Sequence, residues 1–424
     1  MIFQRPSGNV WRTYAVWATL VWCVGSTGCH RPSGRAAGPD PESARESGRS
    51  GTLFLGGGGL GAPRSSNPVW AALAARMPAR RGAGLRMAVL PAAHADPVES
   101  FGDISAGFAT LVGGGAVAEV LPLSAHVPGS GDDHALAGRI AAADSAWFVG
   151  GDQTRLLNVV AGTRGAASPT SAALRMILTR GGLVGGTSAG AAAAGAVMFT
   201  GGGSADALES GRVRLAPGLG LFPYGLVDTH VLARGRLGRL AMALPRSGTR
   251  FGYGVAEGCA LSVDLAGGRV DAVGSGTLLL IDSRDAEVTS RGVAGSRLSL
   301  LGPGDHADGA TGVVVPGNDA EVQGETFDKH QTPQGPGDIA RYPVDRGKLW
   351  DDEGYLAIVT ALRHLADRKS RIAEIRETSG GTLLRISFDE SARSWRRPGC
   401  PDLEPCFDRL GFDIMTDPPA AGSP

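Results

Sequence analysis

The chain has 424 residues, 42% of them hydrophobic and 19% charged, with 41 basic and 41 acidic side chains. That composition fits a globular chain with a sizeable core and excludes a largely disordered one. Balanced charge leaves no global field for a nucleic-acid partner, and the 66 glycines follow no collagen-like period.

Residues 1–29 predict an export signal. Arg5 and Arg12 give a weak basic start, Thr13 to Gly25 is an apolar run too short to span a membrane comfortably, and Ser26-Thr27-Gly28 precede Cys29. Small residues before a cysteine resemble a bacterial lipobox, with Cys29 as the lipidated N-terminus, although Ser26 sits where that pattern prefers Leu. The expected location is therefore outside the cytoplasm. It is periplasmic, lipid-anchored at the outer membrane or extracellular, with the membrane reached only through the anchor. Residues 30–50, rich in Pro, Ser, Arg, Glu and Gly, predict a linker.

From Thr52 short apolar runs alternate with helical patterns. Thr52–Leu55, Met87–Leu90, Val117–Leu121, Ala146–Val149 and Leu183–Val184 predict strands; Val69–Met77, Ser100–Leu111, His134–Ala143 and Ser171–Thr179 predict helices. This alternation predicts an α/β fold with a mostly parallel sheet flanked by helices. Past Tyr253 the runs Cys259–Asp264 and Gly276–Ile281 predict a β-rich later part. Leu349–Glu377 predicts a long helix, followed by the strand Thr382–Phe388 and a Pro-rich tail. The expected organisation is a main domain over 51–328 and a helix–strand extension of unknown function over 329–424. Cys259 reads as a buried thiol, whereas Cys400 and Cys406 lie close enough to pair in an oxidising compartment.

Gly186-Thr187-Ser188-Ala189-Gly190 is a G-x-S-x-G pentapeptide between an apolar strand and the helix-favouring run Ala191–Met198. A nucleophile elbow needs that strand–turn–helix context. Small flanking residues permit a strained turn, and the helix start offers N–H groups to a developing oxyanion. The serine needs a base, and among eight histidines His230 differs by following the apolar Gly225-Leu226-Val227 at the expected carboxyl end of a strand. A chance small-residue turn and a structural histidine are the alternatives to these readings.

Phe148-Val149-Gly150-Gly151-Asp152-Gln153, Gly185 to Ala191, and Val227-Asp228-Thr229-His230 with Arg234, Arg236 and Arg239 resemble the cyanophycinase and aspartyl dipeptidase (peptidase E) family of serine peptidases. Leu53 to Gly58 and Gly252 to Glu257 add further landmarks in the same order. The resemblance implies a class I glutamine-amidotransferase-like fold and a cofactor-free, metal-free hydrolysis by a Ser188–His230–Glu257 triad, with Asp206 and Glu209 as fallback carboxylates. It implies that Gln153 and Asp228 line the substrate pocket, and that the amides of Ala189 and of Gly57 or Gly58 form the oxyanion hole. Arg234, Arg236 and Arg239 would grip acidic substrate groups, since guanidinium forks bind carboxylates bidentately. The implied substrate is cyanophycin, a polyaspartate backbone carrying arginine, cleaved to β-aspartyl-arginine dipeptides. Thr229 in place of the usual Gln and Ala256 in place of a common Asp leave aspartyl or isoaspartyl dipeptides as the alternative. The family's frequent dimers make a homodimer compatible with the resemblance, although the sequence marks no interface.

Two rivals remain. Gly56-x-Gly58-x-x-Gly61 after a strand matches a dinucleotide fingerprint, but Pro63 and Pro68 delay the helix and Arg80-Arg81 stands where an acid is needed. The loop therefore reads as part of the active site. The other rival is a catalytically silent, peptide-binding lipoprotein, against which the presence of all three triad residue types counts.

Overall fold

The computed structural model describes residues 50–78, 84–96, 98–289, 292–322, 339–366, 370–378, 381–389, 391–396 and 406–416. The expected signal, Cys29, the linker up to residue 49, Cys400 and the 328/329 boundary lie outside them. All described elements fall within one unit, Ala37–Pro424.

One sheet has nine strands. Its parallel side contains β1 (Thr52–Gly56), β2 (Arg86–Leu90), β3 (Val117–Val120), β4 (Ser145–Phe148) and β5 (Leu183–Thr187), in the spatial order β1-β5-β4-β2-β3. Strand alternation explains why both faces must be covered. Leu53 and Leu55 enter one core with Ala88, Leu90, Ala146 and Phe148, while Phe54 enters another with Met87, Val89 and Trp147. The first face is closed by Leu136 and Ile140 of helix His134–Ala142 and Leu174 and Ile177 of helix Pro169–Thr179. The second is closed by Val69, Trp70 and Leu73 of helix Pro68–Ala75 and Phe108 of helix Gly102–Val112. Burying each such side chain contributes about 1.5–3 kcal/mol. Asn67 caps the Pro68–Ala75 helix by accepting from the Val69 amide, with Pro68 at its first turn.

Seven further strands follow: β6 (Val197–Gly201), β7 (Arg214–Pro217), β8 (Leu226–Thr229), β9 (Phe251–Val255), β10 (Cys259–Asp264), β11 (Arg269–Gly274) and β12 (Leu278–Asp282). On the other side of β1 the sheet turns antiparallel through β10 and β11. Thus the parallel character expected of the sheet holds for β1–β5 and stops there. A second sheet of eleven strands runs β8-β9-β12 and then takes in Gly292–Leu301, Cys406–Thr416, Thr382–Ser387, Ile372–Glu377 and Ile339–Val344. The C-terminal strands therefore extend the sheet that carries β8.

Three local expectations need correction. Among the described residues of Leu349–Glu377, expected as one long helix, the helix is Asp352–Ala366; Ile372–Glu377 is a strand, where Ala373 and Ile375 alternate into the core. The run Ala191–Met198 gives a helix of only Ala189–Ala192, because Gly195 bridges to Phe222 and Val197, Met198 and Phe199 pair with β7. Part of the Pro-rich tail is the strand Cys406–Thr416, held between Gly292–Leu301 and Thr382–Ser387.

Candidate active site

Strand β5 ends in a turn that only small residues permit. A methyl group built on Gly186 would lie 2.7 Å from the Gly190 backbone, and one on Gly190 would lie 2.7 Å from Phe148. Between them Ser188 adopts φ 53° and ψ −116°, ahead of helix Ala189–Ala192. Only Ser188, His230 and Arg409 are non-glycine residues with positive φ among the described residues. Such backbone costs about 1–3 kcal/mol at each position and persists where surrounding contacts over-determine it.

His230 follows the end of β8, and Glu257 follows β9, the strand paired in parallel with β8. The His230 Nε2 lies 2.8 Å from Ser188 Oγ, and its Nδ1 lies 2.5 Å from Glu257 Oε1. A carboxylate only accepts, so Nδ1 carries the proton donated to Glu257. Nε2 is then left to accept the Ser188 hydroxyl proton, the geometry a general base requires. His230 is 6% exposed. Burial lowers its pKa below the ordinary 6.5, the hydrogen bond it donates to Glu257 opposes that, and the charges of Arg234 and Arg236 reinforce the lowering. The neutral imidazole is therefore favoured near neutral pH.

One glycine run touches all three residues. The Ser188 amide donates to the Gly56 carbonyl and the His230 amide to the Gly57 carbonyl, both at 2.9 Å. A methyl on Gly58 would lie 2.1 Å from His230 Cε1, and one on Gly59 would lie 3.0 Å from Glu257 Oε2. The loop after β1 thus supplies backbone anchors for the serine and histidine and has no room for side chains beside the imidazole. The glycines fit close backbone approach, which is why the run resembles a dinucleotide fingerprint without the acidic residue and the helix start such a site needs.

The remaining expected residues separate by burial. Asp228 is 1% exposed and accepts both Nε and Nη2 of Arg239, at 2.7 and 2.6 Å. Arg239, itself 3% exposed, also donates to the Gly202 carbonyl at 2.5 Å and stacks 4.5 Å over the Phe199 ring. The expectation that Asp228 and Arg239 bind substrate is corrected: each is satisfied by the other inside the fold. Arg236 keeps partial exposure, donates to the Thr229 carbonyl at 2.9 Å and lies 3.6 Å from Asp228. Burial pushes its pKa down to about 10, so it stays charged at neutral pH. Arg234 is exposed. Gln153 opens helix Gln153–Ala161 and donates to the Phe199 carbonyl at 3.0 Å. Asp206 accepts from the Gly203 amide and Glu209 is exposed on helix Ser204–Ser210, so the fallback carboxylates do not meet His230, whose carboxylate partner is Glu257.

The oxyanion expectation also changes in part. The Gly57 amide donates to the Cys259 carbonyl at 2.9 Å and is unavailable to substrate. Ala189 opens its helix, where first-turn amides have no partner within the helix. Gly150, which the sequence reading did not single out for this role, lies beside the serine: a methyl built on it would be 3.5 Å from Ser188 Cβ. Its signal was present in the Val149-Gly150-Gly151 landmark. Cys406 is buried, and its expected partner Cys400 lies outside the described residues.

A strained serine at a strand–helix elbow, bonded through an imidazole to a carboxylate on an α/β scaffold, defines a site of the serine-hydrolase type. Residues 106–270, which contain all three side chains, match the model of Peptidase family S51. It is 34% identical over 170 residues to a cyanophycinase of Geminocystis herdmanii, covering 38% of this chain and 60% of the relative. It is also 35% identical over 153 residues to a cyanophycinase of Synechococcus elongatus, covering 36% and 46%. The matches therefore span about half the length of these relatives. A solved peptidase from an acI-B1 Actinobacterium is similar at a TM-score of 0.40 and 15% identity, covering 64% of this chain and 96% of that one.

Proposed function

We propose that this chain is a serine-type exopeptidase that hydrolyses cyanophycin to β-aspartyl-arginine dipeptides. The observation that carries the reading is the continuous hydrogen-bonded path Ser188 Oγ–His230 Nε2, His230 Nδ1–Glu257 Oε1. In the proposed reaction Nε2 takes the Ser188 proton as Oγ attacks the scissile carbonyl, and Glu257 stabilises the imidazolium. The proton then passes to the leaving amine, and water repeats the sequence to release the acyl group. The Ala189 amide and the backbone at Gly150 are suited to face the tetrahedral oxygen. Arg236, anchored beside His230, is suited to a main-chain carboxylate of the substrate, and the similarity to cyanophycinases supports the polymer.

The test compares insoluble cyanophycin with free aspartyl and isoaspartyl dipeptides, using Ser188→Ala as control and a fluorophosphonate probe for the serine. Dipeptide release from the polymer, abolished in the control, is the expected result. Cleavage of α-aspartyl dipeptides alone would move the function to a dipeptidase. Neither turnover nor serine-dependent labelling would leave a silent peptide binder.

A further inference from the structure

The residues that follow strand Ile339–Val344 meet the arginine loop at two glycines. Gly235 has φ +54°, and a methyl group built on it would lie 2.0 Å from the Trp350 carbonyl oxygen. A methyl on Gly238 would lie 2.9 Å from Cη2 of the Trp350 indole. Only residues without a Cβ let the two segments seat this closely. From the other side Ser204 Oγ donates to the Gly235 carbonyl at 2.5 Å and accepts from the Arg239 amide at 3.0 Å. Leu232 and Leu237, which bracket the loop, pack against Tyr355, Ile358 and Leu362 of helix Asp352–Ala366 around a cavity of only about 20 Å³. Within the loop, Arg234 donates to the His230 carbonyl, Gly235 to Leu232 and Arg236 to Val231, at 2.9, 2.9 and 2.7 Å.

The Trp350 indole N–H is buried with no hydrogen-bond acceptor among the described residues, so the ring acts here through shape. Trp350 also lies outside residues 106–270. Ser188 and His230 take their backbone anchors from Gly56 and Gly57, whereas the residues just beyond His230 also pack against Trp350 and helix Asp352–Ala366.

We propose that Trp350 and helix Asp352–Ala366 form a buttress for the loop 231–236, and that Trp350 is a positioning residue for recognition of an acidic substrate group by Arg236. The kinetic consequence rests on the peptidase function proposed above; the mechanical consequence rests on the packing alone. The Arg236 guanidinium is tied to the Thr229 carbonyl while its backbone is tied to the loop. A loop released by Trp350 would misplace the guanidinium, and misplacement by about 1 Å costs up to about 10²-fold.

The test uses the full chain with Trp350→Ala, Trp350→Phe and Gly235→Ala, followed by hydrogen exchange and steady-state kinetics. In Trp350→Ala and Gly235→Ala, amides 234–236 should exchange about tenfold faster or more, while those of β5 and Ala189–Ala192 keep their wild-type rates. Trp350→Phe, which keeps an aromatic ring without the unsatisfied N–H, should stay within about threefold of wild type. With cyanophycin, Trp350→Ala should raise KM about tenfold and leave kcat and fluorophosphonate labelling of Ser188 within about threefold. Unchanged exchange at 234–236 in folded Trp350→Ala overturns the buttress, as does equal acceleration in β5, which would mark general destabilisation. Accelerated exchange with unchanged KM keeps the buttress and overturns the role toward Arg236. If the wild type neither labels nor hydrolyses, the peptidase reading falls, and exchange still decides the buttress.

Discussion

The imidazole of His230 rests directly against the backbone of Gly58, with no room for a β-carbon between them. A methyl group there would stand 2.3 Å from Nε2, the atom that accepts from Ser188. Gly58→Ala should therefore push the ring off the serine, with added strain from a φ of +110°. We expect kcat to fall about 10²-fold or more while the protein stays folded. Burst kinetics and fluorophosphonate labelling check this; an alanine variant with wild-type kcat would show that the ring has another seat.

The pH profile should follow from burial of the same ring. Its folded pKa lies below 6.5, so the base remains neutral into mildly acidic solution. The acid limb of kcat/KM should have its midpoint below 6.5. Glu257→Gln removes both influences that raise the pKa, so the midpoint should move lower still while the rate falls about 10³-fold. The same linkage acts on stability. Between the folded pKa and 6.5 the unfolded chain binds more protons, so this group's effect lowers stability as pH drops through that window. Urea titrations across it, with His230→Gln as reference, measure the effect.

The Asp228–Arg239 pair should behave as structure. With both side chains almost fully buried, Asp228→Ala or Arg239→Ala strands one buried charge and should cost about 3–5 kcal/mol in denaturant unfolding. Exposed Arg234→Ala should change stability by less than about 0.5 kcal/mol. Equal small losses at all three positions would contradict the separation.

Arg236 should act on binding. Arg236→Ala removes a charged hydrogen-bond donor worth about 1.5–3 kcal/mol, so KM for an acidic substrate should rise about tenfold or more with little change in kcat. An unchanged KM would remove Arg236 from the substrate site.

Much of this architecture is legible in the chain because its signals are local. The apolar runs at Leu53–Leu55, Val89–Leu90 and Trp147–Phe148 are strands buried on both faces, and the serine's flanking glycines mark the turn directly. Signals carried by distant contacts are not legible. Ile372–Glu377 reads as helix until Thr382–Ser387 and Ile339–Val344 pair with it on either side. Arg234, Arg236 and Arg239 look equivalent within six residues, and only the buried Asp228 carboxylate selects Arg239 as its partner. Gly57 and Gly58 look interchangeable as amide donors, yet the Cys259 carbonyl takes the Gly57 amide.

The sequence alone determined the elbow at Ser188, the strand–helix alternation and the residue types available for catalysis, since steric demand and hydrophobic period act over a few residues. Only the tertiary structure decided which carboxylate faces His230, which arginine stays exposed and which tryptophan closes on Gly235. Those choices depend on burial and on contacts between positions far apart in the chain, so folding has to make them.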